Sequence, residues 1–175
     1  MRLVVAVTGA SGVELGLKAV ELLPEEVTPY LILSDNAQKV LENENLRRYD
    51  NSDIGAPVAS GSFPSDAMMV TPCSMNTLAK IACGIADNLT TRAAAVMIKE
   101  RRPLLLAPRE MPYSAIALEN MLKLSRLGVI IAPPVMGYYS RQSNLEEMER
   151  FIVGKWFDLL GIPNRLYKRW RIEDA

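Results

Sequence analysis

Arg2-Leu3-Val4-Val5-Ala6-Val7-Thr8-Gly9-Ala10-Ser11-Gly12 decides the fold. A β-branched apolar run reads as a strand, and the small residues behind it read as a tight turn. Leu15, Leu17, Ala19, Val20, Leu22 and Leu23 then recur at roughly helical spacing until Pro24 stops them. The opening is therefore expected to be a strand, not a signal peptide. Tyr30–Leu33 is a second apolar run, and Ser34-Asp35-Asn36 can cap a helix through about Asn43, so the unit repeats. Arg47–Pro64 is polar, carries Gly55, Pro57, Gly61 and Pro64, and reads as a loop.

Further along, Ala67–Thr71 reads as a buried strand, Pro72-Cys73-Ser74 as a turn, and Thr77–Ile85 and Asn88–Glu100 as helices. Leu104–Ala107 and Val129–Ala132 are apolar strands separated by a helix over Ser114–Leu127, with Gly128 at its end. Pro133-Pro134 opens an irregular segment to about Ser143, and Leu145–Leu160 is an amphipathic helix. Strands alternate with helices and no hairpin signal appears, which predicts an α/β fold: a Rossmann-like, doubly wound, mostly parallel sheet in a three-layer αβα sandwich. No linker or repeat divides residues 1–175, so a single domain is expected, with 162–175 as a C-terminal tail. Leu78–Ala86 and Ala93–Ile98 have almost no polar face. Either they are central helices of the monomer or a second copy covers them.

Composition narrows the chemistry. The 175 residues are 49% hydrophobic, and 20 basic side chains balance 20 acidic ones. Without a net positive field a polyanion partner is disfavoured, so no nucleic acid is expected. Histidine is absent, which excludes Ser-His-Asp and Cys-His nucleophiles, His-ligated zinc and HExxH proteases. Two cysteines, Cys73 and Cys83, cannot build a four-thiolate site. No apolar run approaches the roughly 18 residues of a membrane helix, so no membrane is expected and a reducing cytoplasm is the expected location.

The strand-to-helix turns share one character: Gly9-Ala10-Ser11-Gly12, Ser34, Pro72-Cys73-Ser74-Met75-Asn76-Thr77 and Pro108-Arg109-Glu110. In a doubly wound sheet these turns line one crevice at the carboxyl ends of the strands. Small and hydroxylated residues at helix N-termini suit a phosphate, and Arg109 adds a bidentate partner, so a nucleotide or flavin phosphate fits. The full GxGxxG is missing, and Ser34 stands where an NAD site would place an acid. Arg92 within an apolar helix, Lys99 at its end, Glu110 beside Arg109, and Tyr139 in the loop after Pro134 suit a small phosphate ester whose phosphate leaves. Arg101 and Arg102 read more simply as complements to the helix C-terminus. No DDxxD motif supports a magnesium-dependent prenyl diphosphate enzyme.

Val7-Thr8-Gly9-Ala10-Ser11-Gly12, Ala59-Ser60-Gly61-Ser62, Pro72-Cys73-Ser74, Leu89-Thr90-Thr91-Arg92-Ala93-Ala94, Lys99-Glu100-Arg101-Arg102-Pro103-Leu104, Pro108-Arg109-Glu110-Met111-Pro112 and Leu118-Glu119-Asn120-Met121-Leu122 resemble, in order, the UbiX-type flavin prenyltransferases. The resemblance runs from Met1 to Leu160-Gly161-Ile162-Pro163, with a shorter segment between Glu44 and Ala59 than many members have. It implies a metal-independent flavoprotein that joins a dimethylallyl group from dimethylallyl monophosphate to reduced FMN. N5 takes the allylic carbon as phosphate leaves, and C6 closes a fourth ring to give prenylated FMN, the cofactor of UbiD-type decarboxylases. It also implies a large symmetric homo-oligomer, with a dodecamer expected.

By position, the resemblance assigns Gly9, Ala10, Ser11, Ser34, Ser74, Met75, Asn76, Thr77 and Arg109 to the flavin. Ser60, Arg92, Lys99, Glu110, Tyr139 and Lys155 go to the dimethylallyl phosphate. Glu110 is the expected proton handler with the departing phosphate, Ser11 a hydrogen-bond donor near flavin N5, and Lys99 and Tyr139 further catalytic groups. Glu44 either approaches the pocket or is a solvated helix end. Trp170 either closes a neighbouring subunit's site or docks on its own core. Lys155 replaces the Arg of many members, exchanging a planar fork for a point charge, and Ser140-Arg141-Gln142-Ser143 lacks the His or Pro often found there.

Two other readings compete. Flavin-dependent cysteine decarboxylases such as phosphopantothenoylcysteine decarboxylase use a histidine base and a PxMN motif; this chain has no His and reads Pro72-Cys73-Ser74-Met75-Asn76. A non-catalytic carrier of FMN or prenylated FMN would have no need of a second phosphate site, whereas Lys99, Glu110 and Tyr139 are retained.

Overall fold

The computed structural model describes residues 1–9, 12–34 and 46–170. Its strands are β1 (Arg2–Val7), β2 (Thr28–Leu33), β3 (Arg47–Asp50), β4 (Ala67–Cys73), β5 (Leu104–Pro108) and β6 (Ile130–Ile131). They form one sheet in the order β3-β2-β1-β4-β5-β6, and every pairing is parallel. The chain winds outward through β2 and β3 on one side of β1, then returns to β4 and winds the other way. The topological switch point lies between β1 and β4, and ligands of such sheets bind at the carboxyl ends there.

Alternate residues of each strand feed two cores. Leu3, Val5 and Val7 of β1 pack with Leu31, Met69 and Leu105 under helices α1 (Val13–Glu21) and α5 (Leu145–Leu159), where Trp156 and Phe157 are fully buried. Val4 and Ala6 face the other way, with Ile32, Met68 and Leu106, under α2 (Met75–Cys83), α3 (Leu89–Lys99) and α4 (Ala115–Arg126). With both faces covered, the strands can be apolar nearly throughout, which is why the sequence shows continuous runs and no alternation. Among the described residues, no helix is long and apolar enough to cross a membrane.

Several boundaries depart from the sequence reading. Arg47–Asp50, expected within a loop, is the edge strand β3, paired from Tyr30↔Arg47 to Leu33↔Asp50. Its four residues are mostly exposed, so no hydrophobic period marks it. Pro72 and Cys73, expected in a turn, belong to β4, whose register with β5 shifts between Val70 and Cys73. Proline lacks the N–H a ladder needs, and the irregularity accommodates it. The helix expected after Ser34 lies outside the described residues. α2 starts two residues earlier than expected and ends where Gly84 turns left-handed at φ 72°, leaving Ile85 outside it.

The apolar helices also resolve. Leu78, Ile81 and Ala82 of α2 and Ala93, Ala94 and Met97 of α3 are buried within this one chain. It is α4 that presents uncovered apolar groups, with Ile116, Leu118 and Leu122 each more than half exposed.

Among the glycines, the tightest approach sits at the switch point. A Cβ placed on Gly16 of α1 would lie 2.1 Å from the Thr71 carbonyl oxygen of β4, so only glycine lets this helix rest on the strand. Replacing Gly16 by Ala should therefore cost about 3 kcal/mol, the upper end for overpacking, because the opposing atom is backbone. The shift of the denaturation midpoint relative to wild type measures it.

Candidate active site

The floor of the crevice is built from the ends of β1 and β4. The Thr8 hydroxyl donates to the Pro72 carbonyl at 2.9 Å and accepts the Ser74 backbone N–H at 3.1 Å. Thr8 N–H also donates to Pro72 O at 3.3 Å. These bonds fix Ser74, whose Oγ caps α2 by accepting Thr77 N–H at 3.2 Å and donates to Thr77 Oγ1 at 2.9 Å. A serine N-cap satisfies one of the orphan donors of the first turn and leaves other N–H groups facing the crevice. Gly9, at φ 85°, lies opposite: a Cβ there would come within 3.6 Å of Ser74 Cβ.

Arg109 reaches this floor from the end of β5. A Cβ on Gly12, which starts α1 at φ 85°, would stand 3.4 Å from Arg109 Cδ, so the arginine lies across the N-terminus of α1. Helix dipole and guanidinium thus act on the same point, an arrangement suited to a phosphate. Ser34, at the end of β2, has a buried hydroxyl with no hydrogen-bond partner among the described residues. A polar ligand in the crevice would supply the partner that a buried hydroxyl requires. Glycine-lined space, two helix N-termini, a cation and an orphaned hydroxyl fit the phosphate and polyol of a flavin mononucleotide.

Glu110 is exposed beside Arg109, and its Oε1 accepts Met111 N–H at 3.0 Å. Two clefts meet at this turn. One, of 340 Å³, runs along residues 108–113 to Pro133, Pro134 and Val135; the other, of 460 Å³, lies between α2 and α4. Tyr113 OH donates to Pro108 O at 3.1 Å, and its pKa is raised, first by burial and then by the Glu110 charge. Tyr139 and Lys155 line an adjoining 370 Å³ cavity that shares Pro133 and Val135 with the first cleft. Ile131, Phe151, Ile152 and Trp156 make its walls apolar. Trp170 packs edge-on against Tyr139 of its own chain, centroids 5.6 Å apart, and stays more than half exposed.

Ser60 and Lys99 lie elsewhere. Arg102 donates to Phe63 O at 2.7 Å and Gly61 O at 2.8 Å, while Asp66 N–H reaches Arg2 O and Met68 N–H reaches Pro103 O. These bonds pin the 60–66 loop and the end of α3 to the amino edge of the sheet. Arg102 is thus a staple for that loop, beyond the helix-end complement expected of it. A Cβ on Gly61 would fall 2.6 Å from Lys99 Nζ, so the loop sits directly on Lys99. Lys99 pairs with Glu100, and that hydrogen bond, with the lysine charge, holds the Glu100 carboxyl below its ordinary range. Arg92 is exposed on the same α3 stripe, seven residues and about 10 Å earlier. β5 separates Lys99 from Glu110 with a rise of about 13 Å. One chain therefore does not bring Ser60 and Lys99 to Glu110 and Tyr139.

Met75, Asn76 and Thr77 form the first turn of α2 at the crevice. The expected sites Ala10, Ser11 and Glu44 lie outside the described residues. Thr8 was not singled out by sequence reasoning; a hydroxyl at the end of an otherwise apolar strand was its only signal. Cys73 is fully buried, which pushes its thiol upward and leaves it a packing group in β4.

A doubly wound parallel sheet with an anion-binding crevice at its switch point defines a nucleotide- or flavin-binding α/β protein. The family model described as Flavoprotein matches residues 1–155. The chain is 48% identical over 184 aligned positions to flavin prenyltransferase UbiX of Helicobacter pylori, covering 97% of this chain and 98% of that protein. A dodecameric FMN-dependent UbiX-like decarboxylase from Escherichia coli O157:H7 superposes with TM-score 0.90 at 38% identity, over 98% of this chain and 100% of that one. AnUbiX, solved in complex with FMN and dimethylallyl pyrophosphate, gives TM-score 0.90 at 38% identity, over 99% and 98%. The chain belongs to the UbiX flavin prenyltransferases within the Flavoprotein family.

Thr8→Val keeps shape and removes the hydroxyl that serves Pro72 O and Ser74 N–H. Stability should fall by about 2 kcal/mol for the unpaired buried groups, read by denaturant titration, and FMN should bind more weakly in fluorescence titration.

Proposed function

We propose that this chain joins a dimethylallyl group from dimethylallyl monophosphate to N5 and C6 of reduced FMN, releasing phosphate and producing prenylated FMN. A UbiD-type decarboxylase then takes that product as its cofactor. The observation that carries the reading is the adjacency, at one sheet edge, of a phosphate- and polyol-binding crevice and an apolar cavity with Tyr139 and Lys155 on its wall. The crevice suits the flavin and the cavity suits a hydrocarbon group tethered to an anion. Both substrates are water-soluble phosphates, and the reading places the protein in the cytoplasm.

Reduced FMN, when bound, supplies the nucleophilic N5 and C6. The chain's own residues do the rest. Arg109 and the N-termini of α1 and α2 hold the flavin, with Ser34, Ser74, Asn76 and Thr77 as hydrogen-bonding partners and Gly9 and Met75 as its close walls. Lys155 and Tyr139 hold the donor phosphate, while Ile131, Phe151 and Trp156 keep water from the allylic carbon as its bond to phosphate breaks. Glu110, between crevice and cavity, passes protons to or from the departing phosphate.

Ser60, Arg92 and Lys99 sit at the other edge or on the outer face of α3, so they can serve the donor phosphate only from a second copy. The reading therefore requires a homo-oligomer, with the dodecamer of the Escherichia coli neighbour as precedent. The uncovered apolar groups of α4 agree with such burial between subunits.

Anaerobic incubation with reduced FMN and dimethylallyl monophosphate should add one isoprene unit to the flavin, seen by mass spectrometry, and Glu110→Gln should abolish the gain. Product from the diphosphate alone would show the donor to be misassigned; unchanged but tightly bound FMN would leave a flavin carrier. Lys99→Ala and Glu110→Gln subunits, each inactive alone, should recover about a quarter of wild-type activity when co-assembled in equal amounts, since that fraction of shared sites is intact. No recovery would place Lys99 and Glu110 in one subunit's site.

A further inference from the structure

Asp158, in the last turn of α5, gathers donors from the segment that follows the helix. Asn164 Nδ2 lies at 2.9 Å, Arg169 Nη1 and Nη2 at 3.0 and 2.7 Å, and the Tyr167 hydroxyl donates as well. The arginine contact is two-pronged, the geometry that makes a carboxylate pair directional as well as strong. The Arg169 guanidinium also stacks 5.3 Å from the Tyr167 ring centroid. Tyr167 is pressed onto the helix backbone: a Cβ on Gly154 would meet its Cδ1 at 2.5 Å. Burial alone would raise the Asp158 carboxyl, but the bonds from Arg169, Tyr167 and Asn164 outweigh it and hold the group below its ordinary range. Burial and the bond to Asp158 push Tyr167 up to about 12. Carboxylate and phenol therefore keep their forms through the neutral range.

From these anchors two chains of aromatic contact converge on Tyr139. Tyr167 meets Phe151 edge-on at 5.1 Å, and Phe151 meets Tyr139 at 5.7 Å. On the other side Arg169 is followed directly by Trp170, whose ring meets Tyr139 at 5.6 Å. The circuit closes: Asp158 holds Tyr167 and Arg169, and through Phe151 and Trp170 these grip the Tyr139 ring from two sides. Tyr139 itself sits in a short 3₁₀ turn, Tyr138–Ser140, and is exposed, so little else orients it.

We propose that Asp158 is a positioning residue for the prenyl donor: it latches residues 164–170 onto α5 so that Phe151 and Trp170 set the Tyr139 side chain at the wall of the 370 Å³ cavity. This rests on the reading that Tyr139 and Lys155 meet the donor phosphate. Asp158 touches neither substrate. Its contribution is the pre-paid ordering of a side chain that would otherwise be fixed only when the donor binds.

The test measures the dissociation constant of dimethylallyl monophosphate by calorimetry on the full-length protein carrying oxidised FMN, so that no turnover is needed. Asp158→Asn should weaken donor binding about tenfold while the FMN dissociation constant stays within about twofold. Arg169→Gln should give the same split and serves if Asp158→Asn fails to fold. Trp170→Ala should weaken donor binding comparably, and the double variant should lose clearly less than the product of the two single losses, since both changes act on the Trp170–Tyr139 contact. Trypsin cleavage after Arg165 and Lys168 should quicken in Asp158→Asn. Faster cleavage with unchanged donor affinity, or effects of Asp158→Asn and Trp170→Ala that multiply, would overturn the proposal. A wild-type protein that binds the donor without prenylating FMN would refute the transferase reading and leave the latch intact.

Discussion

The Thr8 hydroxyl is the tie on which the site depends. β1 and β4 are neighbours in the sheet yet far apart in sequence, and past their ends nothing in a parallel ladder dictates how the two turns lie. Thr8 supplies that bond, donating to Pro72 O and accepting Ser74 N–H. Pro72 is part of the same device: its carbonyl accepts both the Thr8 N–H and the Thr8 hydroxyl. Once Ser74 is fixed, α2 begins at a defined point. Gly16 lets α1 settle against Thr71 on the same strand, and Arg109 lies across the N-terminus of α1.

The two halves of the chemistry are segregated by the sheet itself. In the proposed reading the flavin and the proton-handling Glu110 sit where strands end, because helix N-termini and turn backbones are there. Lys99 and Ser60 instead belong to the edge where strands begin, bound by Arg102 to the loop that leads into β4. Such a division is costly for a monomer, which exposes cations that cannot reach their anion. In the proposed reading it becomes an advantage in a symmetric assembly, where each interface would complete a site and seal the reactive centre from water.

Much of the site was legible because turn chemistry is local. Glycines at Gly9 and Gly12, the serine cap at Ser74 and Arg109 after an apolar strand are readable one residue at a time, and the resemblance to the flavin prenyltransferases rests on those same blocks. Asp158 was not legible. Its partners lie 6, 9 and 11 residues on, past the end of a helix, where neither helical nor strand periodicity relates them. Tyr167, Arg169 and Trp170 read only as a tail until their rings were placed on Phe151 and Tyr139.

For the fold, hydrophobic runs determined the buried strands β1, β2, β4 and β5, and capping residues determined α2 through α5, because burial on both faces and unsatisfied helix ends leave marks in the residues concerned. The edge strand Arg47–Asp50 left none, since its side chains face solvent and only backbone pairing to β2 defines it. Composition also determined what chemistry was closed to the protein, as no imidazole exists to perform it. Tertiary structure alone decided that α2 and α3 are covered within one chain while α4 is not. It also decided that Lys99 stands across the sheet from Glu110 and that Trp170 returns to its own Tyr139. Those outcomes depend on which surfaces meet after the chain has wound in two directions, and proximity of that kind is a property of the packed sheet that no local stretch of residues encodes.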